Sequence, residues 1–489
     1  MEHFLQGCKS ALQKKDGNDF HVVLGNEACD LDSMVSAITL AYFLSKTSSS
    51  KNLVYIPVLN IPREDFPLRT ECSFFLRENR ISEDLLTFRD EVDLADLYES
   101  GQLSLSLVDH NVLPRSDSYM EDVVTEVIDH HLLERRPSAN CRVTVELVGS
   151  CTTLVAEKII QEAPQILDFQ LASLLQGTII LDCVNMAPAA GKVTPRDTEY
   201  VTILESKFPN LPQRDAAFDS LQNAKFDVSG LSTDQMLRKD LKALTSRDVS
   251  LAVSAIYMHI EDFLRRDGLE NDLQTFCKRY GYNVIVAMAI TFTAEHEPIR
   301  QISVYSQQGE LRRLVTRTLE KATNPSLDLS LTGQGPCSHV TTYRQGNTGA
   351  SRKKVLPILK DFLRKIDSSS RPMQAFQDAE DSKGQSGFNE QSSDNHFEVF
   401  PADDGDQPDS QDSCAGDESK GRDCWARFGK QLEDGLEDEN SFPPTPMNSL
   451  VEGCPLDRGL PKLTAEAILE RISRITVRDS EGNLTNGSQ

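Results

Sequence analysis

Four short stretches carry the residues that could do chemistry. Asp30 and Asp32 stand two apart in GNEACDLDS, and Asp109 and His110 close LSLSLVDH. Asp129, His130 and His131 close VVTEVIDHH, and Asp182 closes GTIILD. Each follows an apolar run. For any one of them, a polar residue ending a strand, or an Asp-Ser pair capping a helix, is the ordinary explanation. It serves the four together poorly, since each would choose Asp independently and two would choose Asp-His. Converging carboxylates repel one another unless they are protonated or bind cations. Oxygen ligands with one or two imidazoles suit hard divalent ions, Mg²⁺ or Mn²⁺, with some advantage to Mn²⁺. The carboxylate-rich, cysteine-poor set argues against structural zinc. Five or six ligand groups are too many for one ion that must also bind substrate, so two ions are expected. Paired ions can hold a bridging hydroxide and stabilise the attacking and leaving oxygens of an in-line phosphoryl displacement.

The elements that must position these groups follow from the apolar pattern. Residues 21–24, ending at Gly25, read as a buried parallel strand, and Val35, Ile38, Leu40, Ala41 and Leu44 recur at helical spacing. A strand, an acidic loop and a helix open an α/β sheet, in which ligands lie beyond the strand C-termini. Further strands are expected at 53–59, 72–76, 103–108, 123–128, 143–147 and 178–181, with helices between, notably 152–160 and 168–175. This βα alternation predicts a doubly wound parallel sheet over residues 1–210. PNLPQ at 209–213 reads as a boundary or hinge. A second, smaller α/β unit is expected over 214–367, with strands at 251–258 and 284–291, a long helix at about 261–280 and a last helix at 356–366.

A length of 489 residues calls for two or three domains. The formal net charge of −24 argues against general nucleic-acid binding and against anionic membrane surfaces. Eleven cysteines without C-x-x-C spacing suit free thiols in a reducing compartment. The N-terminus lacks a secretory apolar core, and no apolar run is long enough for a membrane span. An intracellular, soluble protein is expected. Residues 371–450 hold nineteen Asp and Glu against six Lys and Arg, so more than half of the net charge lies there. Such composition cannot bury enough apolar surface to fold, which makes 368–460 an expected disordered acidic tail. KLTAEAILERISRI, within 461–478, could form an amphipathic helix on a partner or be a marginal helix without a role.

The order of the motifs resembles one family. D-x-D, then VDH, then DHH, then a fourth Asp is similar to the DHH phosphoesterase superfamily. GASRKKVLPIL (349–359) resembles the S-R-K-K segment of the DHHA2 domain of the manganese-dependent family II inorganic pyrophosphatases. GNEACDLDS, the DHH pair, GTIILDCVNM and FDVSGLSTDQMLRKD are similar to the animal prune proteins, which are exopolyphosphatases. The resemblance covers residues 1–367. It implies a DHH domain followed by a DHHA2 domain and two divalent ions, Mn²⁺ or Mg²⁺. It makes Asp30 a ligand of the first ion and Asp32, His130 and Asp182 ligands of the second, with Asp109 bridging both. It implies that His131, Arg352 and Lys353 contact the phosphoryl chain, together with a lysine of the 227–244 stretch placed at Lys242, with Arg238 and Lys239 close by. Asp109, His130 and His131 are thus the expected catalytic centre. Independently, Arg352-Lys353-Lys354 is a rare cationic cluster in an acidic chain, suited to phosphate oxygens, although three such residues before a helix are ordinarily a solvated face.

One position departs from the pyrophosphatase pattern. Asn26 stands where those enzymes place a metal-ligating His, as it does in the prune proteins, and an amide cannot replace imidazole basicity. Asn26 is therefore expected on the substrate side, with preference shifted from pyrophosphate to tripolyphosphate, tetrapolyphosphate and nucleoside tetraphosphates, and a low phosphodiesterase activity on cyclic nucleotides. A competing class is an interaction protein. The prune resemblance links the family to nucleoside diphosphate kinase and, in cell migration, to glycogen synthase kinase 3. It implies cytoplasmic, nuclear and focal-adhesion locations, and the sequence FPPTPMNSL itself offers a Thr-Pro site open to phosphorylation. The retained acids rank catalysis first.

Overall fold

A computed structural model describes residues 1–14, 17–50, 52–136, 138–293, 298–332 and 339–369. The expected tail, its helix and the Thr-Pro site lie outside the described residues. The first lobe runs α1 (Glu2–Lys14), β1 (Asp19–Leu24), α2 (Leu31–Thr47), β2 (Leu53–Val58), α3 (Thr70–Glu78), α4 (Leu94–Glu99), β3 (Leu103–Val108), β4 (Val124–Asp129), β5 (Arg142–Val145), α5 (Cys151–Glu162), α6 (Phe169–Asp182), α7 (Pro195–Lys207) and α8 (Arg214–Phe226). Its five strands are all parallel in the order β2-β1-β3-β4-β5. Val22, Val23 and Leu24 on β1 are fully buried because helices cover both faces, which is why the strand reads as a continuous apolar run. α2 and α5 pack on one face and α1 and α4 on the other.

The second lobe runs α9 (Thr233–Lys239), β6 (Leu241–Thr245), β7 (Ser250–Ile256), α10 (Ile260–Leu264), α11 (Leu269–Tyr280), β8 (Val284–Phe292), β9 (Pro298–Tyr305), α12 (Gly309–Glu320), β10 (Leu329–Leu331), β11 (Val340–Gln345) and α13 (Arg352–Ser369). Its six strands, in the order β10-β11-β9-β8-β7-β6, form a mixed sheet in which only β7 and β8 run parallel. Residues of α9, α10 and α11 pack on one face, and those of α12 and α13 on the other.

Several expected elements take another form. Residues 178–181, read as a strand, are the last turn of α6, and 72–76, also read as a strand, lie in α3. A short apolar run does not distinguish a buried strand from a helix buried all round, and α6 is buried from Leu171 to Leu181 with few breaks. The expected long helix is cut in two, because Gly268 (φ 72°) takes a left-handed conformation at the start of α11. β6, β9, β10 and β11 carry too little alternation to announce themselves. After the PNLPQ turn, α8 returns to the first core, where Leu221 packs with Phe75 and Leu174.

Candidate active site

β1, β3 and β4 are neighbours, so their C-terminal ends deliver three of the acidic motifs to one edge. The fourth arrives differently, since Asp182 reaches the same edge from the C-terminus of α6. Asn26, Asp30, Asp32, Asp109, His130, His131 and Asp182 all line one pocket of about 670 Å³, together with Glu27, His110, Asn111, Asp129, Gly149 and Lys192.

The loop after β1 is shaped by its own polar side chains. Asp30 caps α2 by accepting from Ser33 N at 3.2 Å, so it serves the helix as well as the edge. Asp32 lies two residues on, 2 % exposed. Its carboxylate is seized by the start of α5. Cys151 N donates to Oδ2 at 2.7 Å, and Thr152 N, Thr152 Oγ1 and Ser150 Oγ donate to Oδ1 at 2.8, 2.6 and 2.8 Å. Ser150 flanks α5 but spends its hydroxyl on Asp32 rather than on its own helix. This anion-on-helix-start arrangement was missed in the sequence, where G-S-C-T-T before an apolar helix was the available signal.

Asn26 has both ends of its amide committed. Its Oδ1 accepts from Cys29 N at 2.9 Å, and its Nδ2 donates to Asp109 Oδ2 at 2.6 Å and Asp109 O at 3.2 Å. It thus ties the D-x-D loop to β3 in the space where substrate contact was expected. Both partners need holding, because Cys29 (φ 47°) and Asp109 (φ 62°) adopt left-handed conformations that L-residues rarely take.

The DHH motif divides its labour. Asp129, fully buried, accepts from His131 Nδ1 at 2.8 Å, His130 N at 2.8 Å and Asn111 Nδ2 at 2.6 Å. Burial would raise its pKa, but these donors outweigh it and hold the carboxyl below its ordinary value. It orients His131. His130 donates from Nδ1 to Val148 O at 3.0 Å, which aims Nε2 at Asp109 Oδ1, 3.2 Å away, and at Asp32 Oδ2, 3.8 Å away. A backbone carbonyl on one ring nitrogen is the usual way to present the other to a metal. Burial opposes charge on His130, yet the hydrogen bond to Asp109 and the fields of Asp32 and Asp109 raise its pKa to about 11. His131 is more exposed, and its pKa is raised by the hydrogen bond to Asp129.

The carboxylates at the edge are under strain of charge. Asp109 and Asp182 are both pushed well above the usual range, first by burial and then by the neighbouring charges of Asp30 and Asp32. Asp182 Oδ2 is buried without a hydrogen-bond partner. Ligand atoms of Asp109, His130 and His131 lie within 4.8 Å of one another. An orphaned carboxylate oxygen, mutually repelling acids and an aimed imidazole fit divalent cations. A proton on His130 would compete with such an ion, so occupancy falls at low pH.

The expected second-lobe cations do not line this pocket. Arg352 is buried against Asp240, donating from Nη1 to the backbone oxygen at 2.6 Å and pairing through Nη2 with Oδ1 at 2.5 Å. A carboxylate thus takes the guanidinium fork that a phosphate was expected to use. Lys242 lies in β6 opposite Val253, and Lys353 is exposed on α13.

Comparison with known proteins adds the lineage. The DHH family, N-terminal domain, matches residues 21–179, and the DHHA2 domain matches residues 219–362. The chain is 47 % identical over 484 residues to the Rattus norvegicus protein named exopolyphosphatase PRUNE1, covering 98 % of each chain, and 47 % identical over 485 residues to the Homo sapiens protein of that name, with the same coverage. Among solved structures, a Methanococcus jannaschii putative family II inorganic pyrophosphatase aligns with 71 % of this chain and 99 % of its own, at TM-score 0.40 and 21 % identity. The chain belongs to the prune family of DHH phosphoesterases, in which a DHH domain is followed by a DHHA2 domain.

Proposed function

We propose that the chain is a metal-dependent exopolyphosphatase whose preferred substrates are short polyphosphates (tripolyphosphate, tetrapolyphosphate and nucleoside tetraphosphates), with cyclic-nucleotide hydrolysis as a minor reaction. The convergence of Asp30, Asp32, Asp109, Asp182 and His130 on one edge, with Asp182 Oδ2 buried and unpartnered, carries this reading. The curated relatives bear the same activity in their name.

Asp30 would hold one ion, Asp32, His130 and Asp182 a second, and Asp109 both, with Mn²⁺ or Mg²⁺ suited to this oxygen-rich set. Two such ions, when bound, neutralise phosphoryl charge and activate water for in-line displacement. The remaining work falls to side chains. Asp129 holds His131 by Nδ1 and favours its protonated form, so Nε2–H can donate to a phosphoryl oxygen where charge develops. Asn26 anchors Asp109 against the D-x-D loop. Lys242, Arg352 and Lys353 would bind the outer phosphates, for which Arg352 must share or exchange its Asp240 pairing.

The test is phosphate release from tripolyphosphate by the full chain with Mg²⁺ or Mn²⁺, beside Asp182→Ala. Metal-dependent turnover that is lost in the variant, and faster on tripolyphosphate than on pyrophosphate, is the expected result. No turnover with either metal sinks the reading, and faster turnover of pyrophosphate sinks the substrate preference.

A further inference from the structure

Behind the acidic edge lies a second cluster of charge that the reaction does not use. Arg69 is fully buried, and its Nε donates to Ala28 O at 2.7 Å, in the loop between Asn26 and Asp30. Both of its terminal nitrogens are buried without a hydrogen-bond partner. Glu71 is 1 % exposed, and its Oε2 likewise has no hydrogen-bond partner. Lys239, at the end of α9 in the second lobe, is also fully buried. Its Nζ donates to Leu68 O at 2.7 Å and Thr70 Oγ1 at 3.0 Å, and lies 4.0 Å from Glu71 Oε2. Residues 65–71 are therefore gripped from both sides. Arg238 pairs with Asp65 beside the same contact, and Thr70 Oγ1 donates to Lys225 O.

Such a cluster is a poor way to stabilise a fold. Buried ions lose hydration that their mutual attraction repays only with full hydrogen bonding, and here three polar atoms go without. What the cluster does is geometric. It joins the carbonyl next to the left-handed Cys29 to the residue three positions before Lys242. A turn held in an unfavoured conformation persists only when its surroundings fix it.

We propose that Arg69, Glu71 and Lys239 form a buried ionic latch that positions the 28–30 turn, and with it the ligand Asp30, in register with the phosphate-binding strand of the second lobe. Arg69 and Lys239 are positioning residues under this proposal, which rests on the metal-edge reading above.

The test uses full-length Arg69→Met, Arg69→Lys, Lys239→Met and Thr70→Val. Mn²⁺ binding is followed by electron paramagnetic resonance without any phosphate compound, alongside thermal unfolding and tripolyphosphate kinetics. Arg69→Met is expected to weaken one Mn²⁺ site by roughly 10- to 100-fold, the range for groups that orient metal ligands. Arg69→Lys, which keeps one donor, should recover part of that loss. Lys239→Met and Thr70→Val should weaken the same site less. The Arg69 and Lys239 effects should combine non-additively, as in one network. Wild-type Mn²⁺ affinity in folded Arg69→Met and Lys239→Met overturns the latch, whatever their melting temperatures. Should Arg69→Met fail to fold, wild-type affinity in both Lys239→Met and Thr70→Val overturns it. A wild-type chain that takes up no Mn²⁺ overturns the metal-edge reading, and the latch with it.

Discussion

The two lobes treat charge in opposite ways. At the edge of the first sheet, Asp109 is buried and Asp182 half-buried beside Asp30 and Asp32, and both are forced above their normal pKa range. At the corresponding strip of the second lobe, Asp240 and Arg352 are also buried, but each answers the other, and Tyr257 adds a hydroxyl to Asp240 at 3.1 Å. Burial is common to both sites, so burial alone marks neither as functional. What separates them is the neighbouring charge: burial raises the Asp240 pKa as well, but Arg352 opposes that shift, whereas Asp109 and Asp182 face further carboxylates. The first lobe concentrates like charge that a bound cation relieves, whereas the second balances its charges internally.

Four substitutions would break or sharpen that contrast. The largest effect is expected at the unbalanced edge, where Asp109→Asn should lower metal-dependent phosphate release by roughly 10²–10³-fold, the range for removing a pre-organised electrostatic group. In chelator, the same variant should unfold at a higher temperature than wild type, because a repelled buried carboxylate has been neutralised. At the balanced site, Asp240→Ala should cost about 3 kcal/mol in denaturant unfolding, since Arg352 is left buried and unpaired. A loss below half of that would mean that Arg352 finds water, and that the second lobe is less closed than its geometry shows.

Lys239 offers a pH-dependent version of the comparison. Burial, the first cause, lowers its pKa to about 8, against the partial support of Glu71. Below pH 8 the amine is charged in both folded and unfolded states, and the burial cost is fully present. Between pH 8 and about 10.4 the unfolded chain binds more protons than the folded one, so stability due to this group rises with pH. The stability of wild type relative to Lys239→Met should therefore improve by up to about 2 kcal/mol between pH 8 and 9.5, measured by urea unfolding. A flat difference would mean that the amine titrates normally. The smallest effect is expected for Asp129→Asn. Loss of the Asp129 carboxylate removes what raises the pKa of His131, so the alkaline limb of the rate profile should move to lower pH.

Much of the chemistry was legible from the order of residues. Asp30, Asp32, Asp109, His130 and Asp182 each follow an apolar run, and strands β1 and β3 fall close to where the apolar pattern sets them. Asp182 lines the same pocket from the end of a helix, whereas its apolar run predicts a strand. Lys242, Arg352 and Lys353 were expected at the phosphates, yet none lines the acidic pocket, because a guanidinium's choice between Asp240 and a substrate is not written in S-R-K-K.

By itself, the sequence determined which groups could bind cations and that parallel strands would carry three of the four motifs to a common edge, because periodicity and residue chemistry are local properties. Only the tertiary structure decided that the start of α5 holds Asp32, that Asn26 braces Asp109, and that Lys239 of the second lobe grips Leu68 and Thr70 on either side of Arg69. Those partners stand 118 to 120, 83 and 169 to 171 residues apart in the chain, and nothing in local propensity specifies which distant donor reaches a buried acceptor. That choice is made by packing, when the backbone brings the donor within hydrogen-bond distance and excludes the water that would otherwise serve.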